Sequence, residues 1–419
     1  MLKKAHLGII FSLLTAIIIS PLIFVNIQNF FYSVQTGVPS KTTPESLRGF
    51  VRFNSPSPEF KELTYTEDFK PVYVASKKFI NFNNPNIYNK EIFGCPHQNR
   101  YPPLLYFLYN KTFCNFSFPT ATLLHLFSQI LLLVLASFYI LCYYNLAIMI
   151  IPVTVIYCAV LFLTPIGLFW LERGQFDIYV ALSIMFFLFA AIESKSPFFA
   201  LSAIFMSLKP TIFPFYIQAF IVYLAFNWNL EKLKHLAIFI SLILVTLIIF
   251  PNCWMPYLLS CIDYQTNYSS HITLIKTFPA LLLTFLLAIN LTAYLTSLFV
   301  NRNKNILQNT FLPYMSSICV LSLSLASINF EYRIIALLGF IPMIFVWLIK
   351  IHNDQSYKIE FSIFFLLLIY VEFHGYWNFT TWLPSDDIII TTYLAYYLTV
   401  SLISIANNFS AFHTEEKSI

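Results

Sequence analysis

The feature that most constrains this chain is a series of apolar runs, many of them about 20 residues long, separated by short polar stretches. An α-helix needs about 20 apolar residues to cross the hydrocarbon core of a bilayer. Backbone amides and carbonyls find no water there, so each spanning segment must satisfy its own hydrogen bonds. The pattern therefore predicts an all-α polytopic membrane protein with about 12 transmembrane helices, and 10 or 11 are also acceptable.

Two of the predicted spans are short, because Lys209-Pro210 interrupts one apolar run. Proline lacks an amide donor and disfavours helix at the residue before it. Broken helices at membrane depth usually line a cavity, where polar backbone can be satisfied. The predicted spans cover residues 7–27, 120–143, 146–169, 177–193, 196–208, 211–227, 236–251, 274–300, 306–327, 332–350, 359–372 and 387–406.

The composition supports lipid as the solvent. Of the 419 residues, 58% are hydrophobic and only 10% are charged, whereas soluble domains carry about 25% charged residues. The net charge of +5 gives no support to nucleic-acid binding. Because the sequence has no Cys-x-x-Cys pair and no His-x-x-x-His pair, we expect no metal site and no cofactor.

The distribution of Lys and Arg predicts the orientation, because cytoplasmic loops are enriched in these residues. With the N-terminus inside, most basic residues fall in cytoplasmic loops and residues 28–119 fall outside. The predicted organisation is a first transmembrane helix at 1–27, an extracytoplasmic loop at 28–119, a multi-span domain at 120–407 and a cytoplasmic tail at 408–419. Residues 8–27 could instead be a signal peptide, but no small-residue cleavage site follows them.

The large loop at 28–119 is expected to contain interfacial helices. Apolar and aromatic side chains recur with helical spacing over residues 66–79, where Thr66 could cap a helix and Phe69 would be its third residue. Such a helix would lie along the membrane surface. Residues 101–104, Tyr-Pro-Pro-Leu, predict a stiff extended segment that leads towards the second span.

Three predicted outer turns each present one cation: Arg173, Lys209 and Arg333. Ionisable residues at or inside a bilayer cost a few kcal/mol each and are functional candidates by default. If these cations converge, they form an anion site beside the large loop. Simpler explanations are a local ion pair with Glu172 or Glu331 and, for Lys209, an interfacial anchor.

Four features occur in a suggestive order along the first half of the chain. An acidic pair lies in the first outer loop, the same loop ends in Tyr-Pro-Pro-Leu, a Gly-Gln turn separates two spans, and a helix of small residues ends in Lys-Pro. Together they resemble the GT-C glycosyltransferases, most closely the bacterial polyprenyl-phosphate-mannose-dependent mannosyltransferase-like family. That family often has Asn where this chain has Asp177. The residues concerned are Glu67-Asp68-Phe69, 101–104, Gly174-Gln175 and Lys209-Pro210.

The resemblance implies a hexosyltransferase in the bacterial inner membrane whose site faces the periplasm. Its donor would be a polyprenyl-phosphate-linked hexose, mannose in that family, and its acceptor a glycan or glycolipid. Asp68 would be the general base, with Glu67 as a rival, because adjacent helical residues point about 100° apart. Asp68 could also be only a surface carboxylate or a helix-start residue. The implied donor-phosphate contacts are Arg173, Lys209 and Arg333, and the implied sugar-pocket residues are Gln175 and Tyr101.

Inverting displacement needs one carboxylate base and cations that stabilise the leaving phosphate, without a metal. A transporter or flippase of lipid-linked sugars is the first alternative. It would be expected to show inverted repeats and matching broken helices, whereas one broken element is found, at Lys209-Pro210. A lipid-linked glycan polymerase or ligase is the second, but such proteins typically carry their large loop late in the chain.

Two cysteine pairs fall on the predicted oxidising side of the membrane. Cys95 with Cys114, and Cys253 with Cys261, could each form a disulfide. Free thiols in packed segments are the alternative.

Overall fold

The protein is described here by a computed structural model that covers residues 2–36, 68–78, 85–88, 101–210, 212–225, 229–267, 315, 319 and 331–351. All regular elements in these ranges are helical, and no strand occurs among them. The helices are α1 Leu2–Thr36, α2 Phe69–Lys78, α3 Pro103–Thr112, α4 Phe118–Tyr143, α5 Ile150–Leu163, α6 Pro165–Arg173, α7 Asp177–Glu193, α8 Ser196–Leu208, α9 Phe213–Ala225, α10 Leu230–Ile249, α11 Pro251–Asn267 and α12 Ile341–Val346. Short 3₁₀ segments lie at Pro85–Tyr88, Ala147–Met149 and Glu331–Phe340, and a π-helical turn lies at Trp347–Ile351.

Among the described residues, three helical stretches are long and apolar enough to cross a membrane: Ser12–Tyr32, Phe118–Tyr143 and Leu230–Ile249. Shorter apolar helices accompany them, at Ala147–Leu163, Ser196–Leu208, Phe215–Leu224 and Ile335–Ile349. The helical architecture of the described residues and their apolar helices agree with the sequence analysis. The count of about 12 spans stays a prediction, because the predicted spans at 274–300, 306–327, 359–372 and 387–406 fall wholly or largely outside the described residues.

Several predicted boundaries agree with the helices. The boundaries predicted at 177–193 are those of the helix α7, and the chain breaks between α8 and α9 at Lys209-Pro210, as proline requires. The first predicted span, 7–27, lies within the longer helix α1, which continues to Thr36 and includes Pro21; the stretch of this helix that is apolar enough to cross a membrane is Ser12–Tyr32.

The predicted single span at 146–169 is wrong, because the chain divides into α5 and α6. Thr164 adopts an extended backbone (φ −90°, ψ 150°) between them. Its Oγ1 accepts a hydrogen bond from the amide of Gly167 at 3.0 Å. This side chain therefore caps a new helix, which begins at Pro165, in the position where proline is favoured.

The helix predicted over 66–79 is present as α2, but the described helix begins at Phe69 and Asp68 directly precedes it. Its inner side chains pack against α3 and α4. The extended segment expected at 101–104 is limited to its first half. Pro102 is extended (φ −60°, ψ 151°), and Pro103 already starts α3.

The centre of the molecule is α7, which is apolar on all faces and buried from Asp177 to Ala190. A helix of this kind must be surrounded by other elements. It packs against α8, α4 and the 3₁₀ segment Glu331–Phe340. At Gly339 a Cβ atom would lie 2.1 Å from the carbonyl oxygen of Ala181, so this close approach requires glycine.

Candidate active site at the Gly174-Gln175 turn

The site is built on the turn between α6 and α7. Gly174 adopts a left-handed conformation (φ 63°) after the last residue of α6. The amide of Gly174 donates to the carbonyl of Leu171 at 3.1 Å, and the amide of Gln175 donates to the carbonyl of Trp170 at 3.2 Å. This pair of bonds is a Schellman motif, which satisfies the final carbonyls of a helix. The tight turn holds Arg173, Gln175 and Asp177 close to one another.

Asp68 joins this turn through both its backbone and its side chain. Its amide donates to the carbonyl oxygen of Arg173 at 3.0 Å. In return, Arg173 Nε donates to Asp68 Oδ2 at 2.5 Å, and Gln175 Nε2 donates to the same oxygen. The Asp68 and Arg173 side chains are 12% and 13% exposed. The start of α2 is thus tied to the α6–α7 turn.

Lys209 reaches the same turn from the break between α8 and α9. Its Nζ donates to Gln175 Oε1 at 3.2 Å and lies 2.8 Å from Asp177 Oδ1. The two charged side chains are deeply buried, with 7% of Lys209 and 1% of Asp177 exposed. Buried charges need partners of opposite sign, and the broken helix places this lysine beside one.

Five side chains therefore form one line of contacts in the order Arg173, Asp68, Gln175, Lys209, Asp177. The formal charges of the two cations and the two carboxylates cancel. The structure brings together four predicted site residues, but it does not leave Arg173 and Lys209 facing an empty anion site. In this state each cation is held by a carboxylate of the protein.

The other predicted site residues lie around this line of contacts or outside the described part. The Tyr101 ring packs 4.5 Å from the Phe176 ring, centroid to centroid, beside Gln175. Arg333 belongs to the segment Glu331–Phe340, which packs against α6 and α7, although its side chain is not described. Glu67, the rival base, and the side chain of Glu172 also fall outside the described part.

Two residues of α4 that are not among the predicted site residues hold the turn from behind. His125 Nε2 lies 3.1 Å from the carbonyl oxygen of Gly174, and Gln129 Nε2 donates to the carbonyl oxygen of Gln175 at 3.0 Å. A carbonyl only accepts, so His125 carries its proton on Nε2, and its Nδ1 accepts from the Tyr109 hydroxyl. Both carbonyls of the turn are thus fixed by buried side chains of α4.

Aromatic contacts complete this support. Phe69, which follows Asp68, stacks on His125 with 4.6 Å between ring centroids and 5° between planes. Burial raises the pKa of the Tyr109 hydroxyl well above its ordinary value, so this group stays protonated and can donate to His125. The sequence signal was a His and a Gln one turn apart on one face of an apolar span, where polar side chains are functional candidates.

Of the two cysteine pairs that could form disulfides, the described cysteines form neither bond. Cys253 and Cys261 are thiols in the same helix, α11. They are two turns apart, about 12 Å along the axis, and a disulfide needs Cα atoms within about 7 Å. Cys114 is a free, buried thiol, and burial raises its pKa to about 11. Cys95 lies outside the described residues.

Comparison of the chain with protein-family models, with curated proteins and with solved structures finds no match. The family resemblance drawn from the sequence motifs therefore stays a prediction, and the interpretation of the site rests on its geometry.

Proposed function

We propose that this chain is a GT-C type glycosyltransferase of the bacterial inner membrane. It transfers a hexose, with mannose as the first candidate, from a polyprenyl-phosphate carrier to a glycan or glycolipid acceptor on the periplasmic side. The observation that carries the proposal is the contact of Asp68 with Arg173 and Gln175, joined through Gln175 to Lys209. A carboxylate beside two cations supplies the groups that displacement of a phosphate from an anomeric carbon needs.

Asp68 has an oxygen available for the role of general base. Arg173 and Gln175 both bind Oδ2, which fixes the orientation of the carboxylate. Oδ1 makes no hydrogen bond with the residues that the structure describes. In this scheme, Oδ1 removes the proton from the acceptor hydroxyl while the acceptor oxygen attacks the anomeric carbon.

The cations act on the leaving phosphate. As the bond between the anomeric carbon and the phosphate oxygen breaks, its electron pair stays on the polyprenyl phosphate. Arg173 and Lys209 stabilise this charge. The acceptor oxygen bonds to the opposite face, so the configuration inverts, and Asp68 later passes its proton to water. This scheme uses no metal ion.

The exposure of the side chains suggests the direction of ligand entry. Asp68 and Arg173 are partly exposed, whereas Lys209 and Asp177 are deeply buried. Substrates therefore approach from the side of the first outer loop. Donor binding also has to loosen the contact between Lys209 and Asp177, whereas the Nε bond of Arg173 keeps the Asp68 carboxylate in place.

A flippase of lipid-linked sugars, or a lipid-linked glycan polymerase or ligase, could use the same cations to hold a lipid phosphate. A flippase has no use for a base. The double attachment of Asp68 to the turn therefore favours a transferase over transport.

The proposal is tested with the purified chain in proteoliposomes that contain radiolabelled polyprenyl-phosphate-mannose and a membrane glycolipid extract. We expect label to move into the glycolipid fraction. Label that crosses the bilayer while still on its carrier would indicate a flippase. If no polyprenyl-phosphate hexose donates its sugar and none is translocated, the proposed function is wrong.

A further inference from the structure

We propose that Asp177 competes with lipid phosphate for Lys209 and thereby favours release of the polyprenyl phosphate product. The inference rests on the proposed function, because it concerns the product of that reaction. Neither the sequence motifs nor the proposed reaction gives Asp177 a role, and this inference assigns one.

The buried Asp177 carboxylate depends on Lys209 for neutralisation of its charge. Its side chain is 1% exposed, and Oδ1 lies 2.8 Å from Lys209 Nζ. Both carboxylate oxygens are buried and accept no hydrogen bond from the part of the chain that the structure describes, so the contact with Lys209 is an ion pair. A buried carboxylate with so few donors is costly unless a cation neutralises it. Asp177 therefore holds Lys209 strongly.

A phosphate bound to Lys209 meets this carboxylate at close range. Two anions in contact with one ammonium group lie within about 5 Å of each other and repel, strongly so where water is scarce. The other described partner of the Lys209 ammonium group, Gln175 Oε1 at 3.2 Å, is neutral and adds no such repulsion. Asp177 is thus a competing anion beside Lys209.

This repulsion increases during the reaction. The donor is a phosphodiester and carries one negative charge. Transfer breaks the bond between the anomeric carbon and the phosphate oxygen, leaves the electron pair on that oxygen, and moves the acceptor proton to Asp68. The product is a phosphate monoester, which carries about −1.5 to −2 charges at pH 7. Asp177 therefore weakens product binding more than donor binding.

The Asp177→Asn variant tests this directly, because Asn keeps the shape and an acceptor oxygen but removes the charge. We measure the inhibition constant of polyprenyl phosphate, the KM for the donor, and kcat in proteoliposomes. We expect the product to bind about tenfold more tightly, the donor KM to fall by less, and kcat to decrease. The control is Glu231→Gln, an exposed carboxylate in the first turn of α10, which should leave all three constants unchanged.

Product inhibition that is unchanged or weaker in Asp177→Asn overturns the proposal, while transfer by the parent chain keeps the proposed function. A parent chain that neither transfers sugar nor binds polyprenyl phosphate overturns both. If Asp177→Asn does not fold, a structure of the unaltered protein with polyprenyl phosphate bound tests the proposal instead. The proposal requires a phosphate oxygen within about 3.2 Å of Lys209 Nζ, and a phosphate bound away from Lys209 contradicts it.

Discussion

Asp68 is fixed at two points, since its amide binds the Arg173 carbonyl and its carboxylate binds the Arg173 and Gln175 side chains. A base held in this way does not have to reorganise when the acceptor binds. The family resemblance selected Asp68 from the sequence. Its partners lie more than 100 positions further along the chain, and no local pattern connects residues at that distance.

Arg173→Lys should reduce the rate of sugar transfer by roughly 10- to 100-fold, the value of a hydrogen bond to a charged group. Lysine keeps the positive charge but has no Nε donor at the position that binds Asp68 Oδ2, so the carboxylate loses its fixed orientation. Initial rates in proteoliposomes measure the effect.

The matched control for Arg173→Lys is Lys234→Arg, at an exposed position of α10, which should transfer at the parent rate. An Arg173→Lys variant with full activity would show that charge alone is sufficient at this position.

Cys114 gives a pH-dependent prediction. Burial raises the pKa of its thiol to about 11, and only the thiolate reacts with alkylating reagents. Iodoacetamide should therefore label Cys114 slowly at pH 8, and the rate should increase with pH until about pH 11. Mass spectrometry of the folded protein measures this rate. A residue 114 peptide that stays unlabelled after denaturation without reductant would indicate a disulfide instead.

At the scale of elements, the α6–α7 turn depends on Gly174. Its left-handed backbone (φ 63°) permits the Schellman bonds that place Arg173, Gln175 and Asp177 together. Behind it, His125 and Gln129 of α4 hold the two carbonyls of the turn. The site is therefore a rigid turn supported by one long helix.

Gly174→Val should lower stability by at least about 1–2 kcal/mol, because a side chain is strained in the left-handed region and a β-branched one most of all. Gly174→Asn should cost less, since Asn tolerates this conformation. Thermal unfolding in detergent compares the two variants. If Val and Asn are tolerated equally, the left-handed conformation at residue 174 is not required.

The helices that can be located from the sequence are those whose ends are determined by neighbouring residues in the chain. The apolar run of α7 and the proline after Lys209 specify their own boundaries. The split at Thr164 depends on a side-chain cap within a continuous apolar run, so hydropathy cannot reveal it. The first two residues of α3 fall in the segment 101–104 that the sequence predicts as extended, because a proline that ends one helix and a proline that begins another look alike in sequence.

At the scale of the whole molecule, α4 gives the direct test of orientation. Its 26 residues extend about 39 Å, enough to cross a bilayer. Asn115 and Asn145 are exposed near its two ends. In a background without other cysteines, a membrane-impermeant maleimide should label Asn115→Cys from the periplasm and Asn145→Cys only after the membrane is opened. Labelling of both from one side would exclude α4 as a span.

The sequence predicts which residues form the site better than it predicts how these residues are arranged. Hydropathy and charge identified Arg173 and Lys209 as cations in outer turns, and the motif order added Asp68 and Gln175. Their pairing with carboxylates follows from tertiary packing, in which α2, the α6–α7 turn and the α8–α9 break meet. Sequence alone does not give that packing, and for Arg173 it offered only its neighbour Glu172 as a partner.

The central claim is that Asp68 is the base of a sugar transferase, and the most direct test is the initial rate of hexose transfer by Asp68→Asn. Asn keeps the size of the side chain but cannot take the acceptor proton, so we expect the rate to fall by about 10²- to 10⁴-fold. Glu67→Gln and Glu231→Gln, tested in parallel at equal expression, should keep the parent rate. Transfer that survives in Asp68→Asn but is lost in Glu67→Gln would contradict the claim and move the base to Glu67.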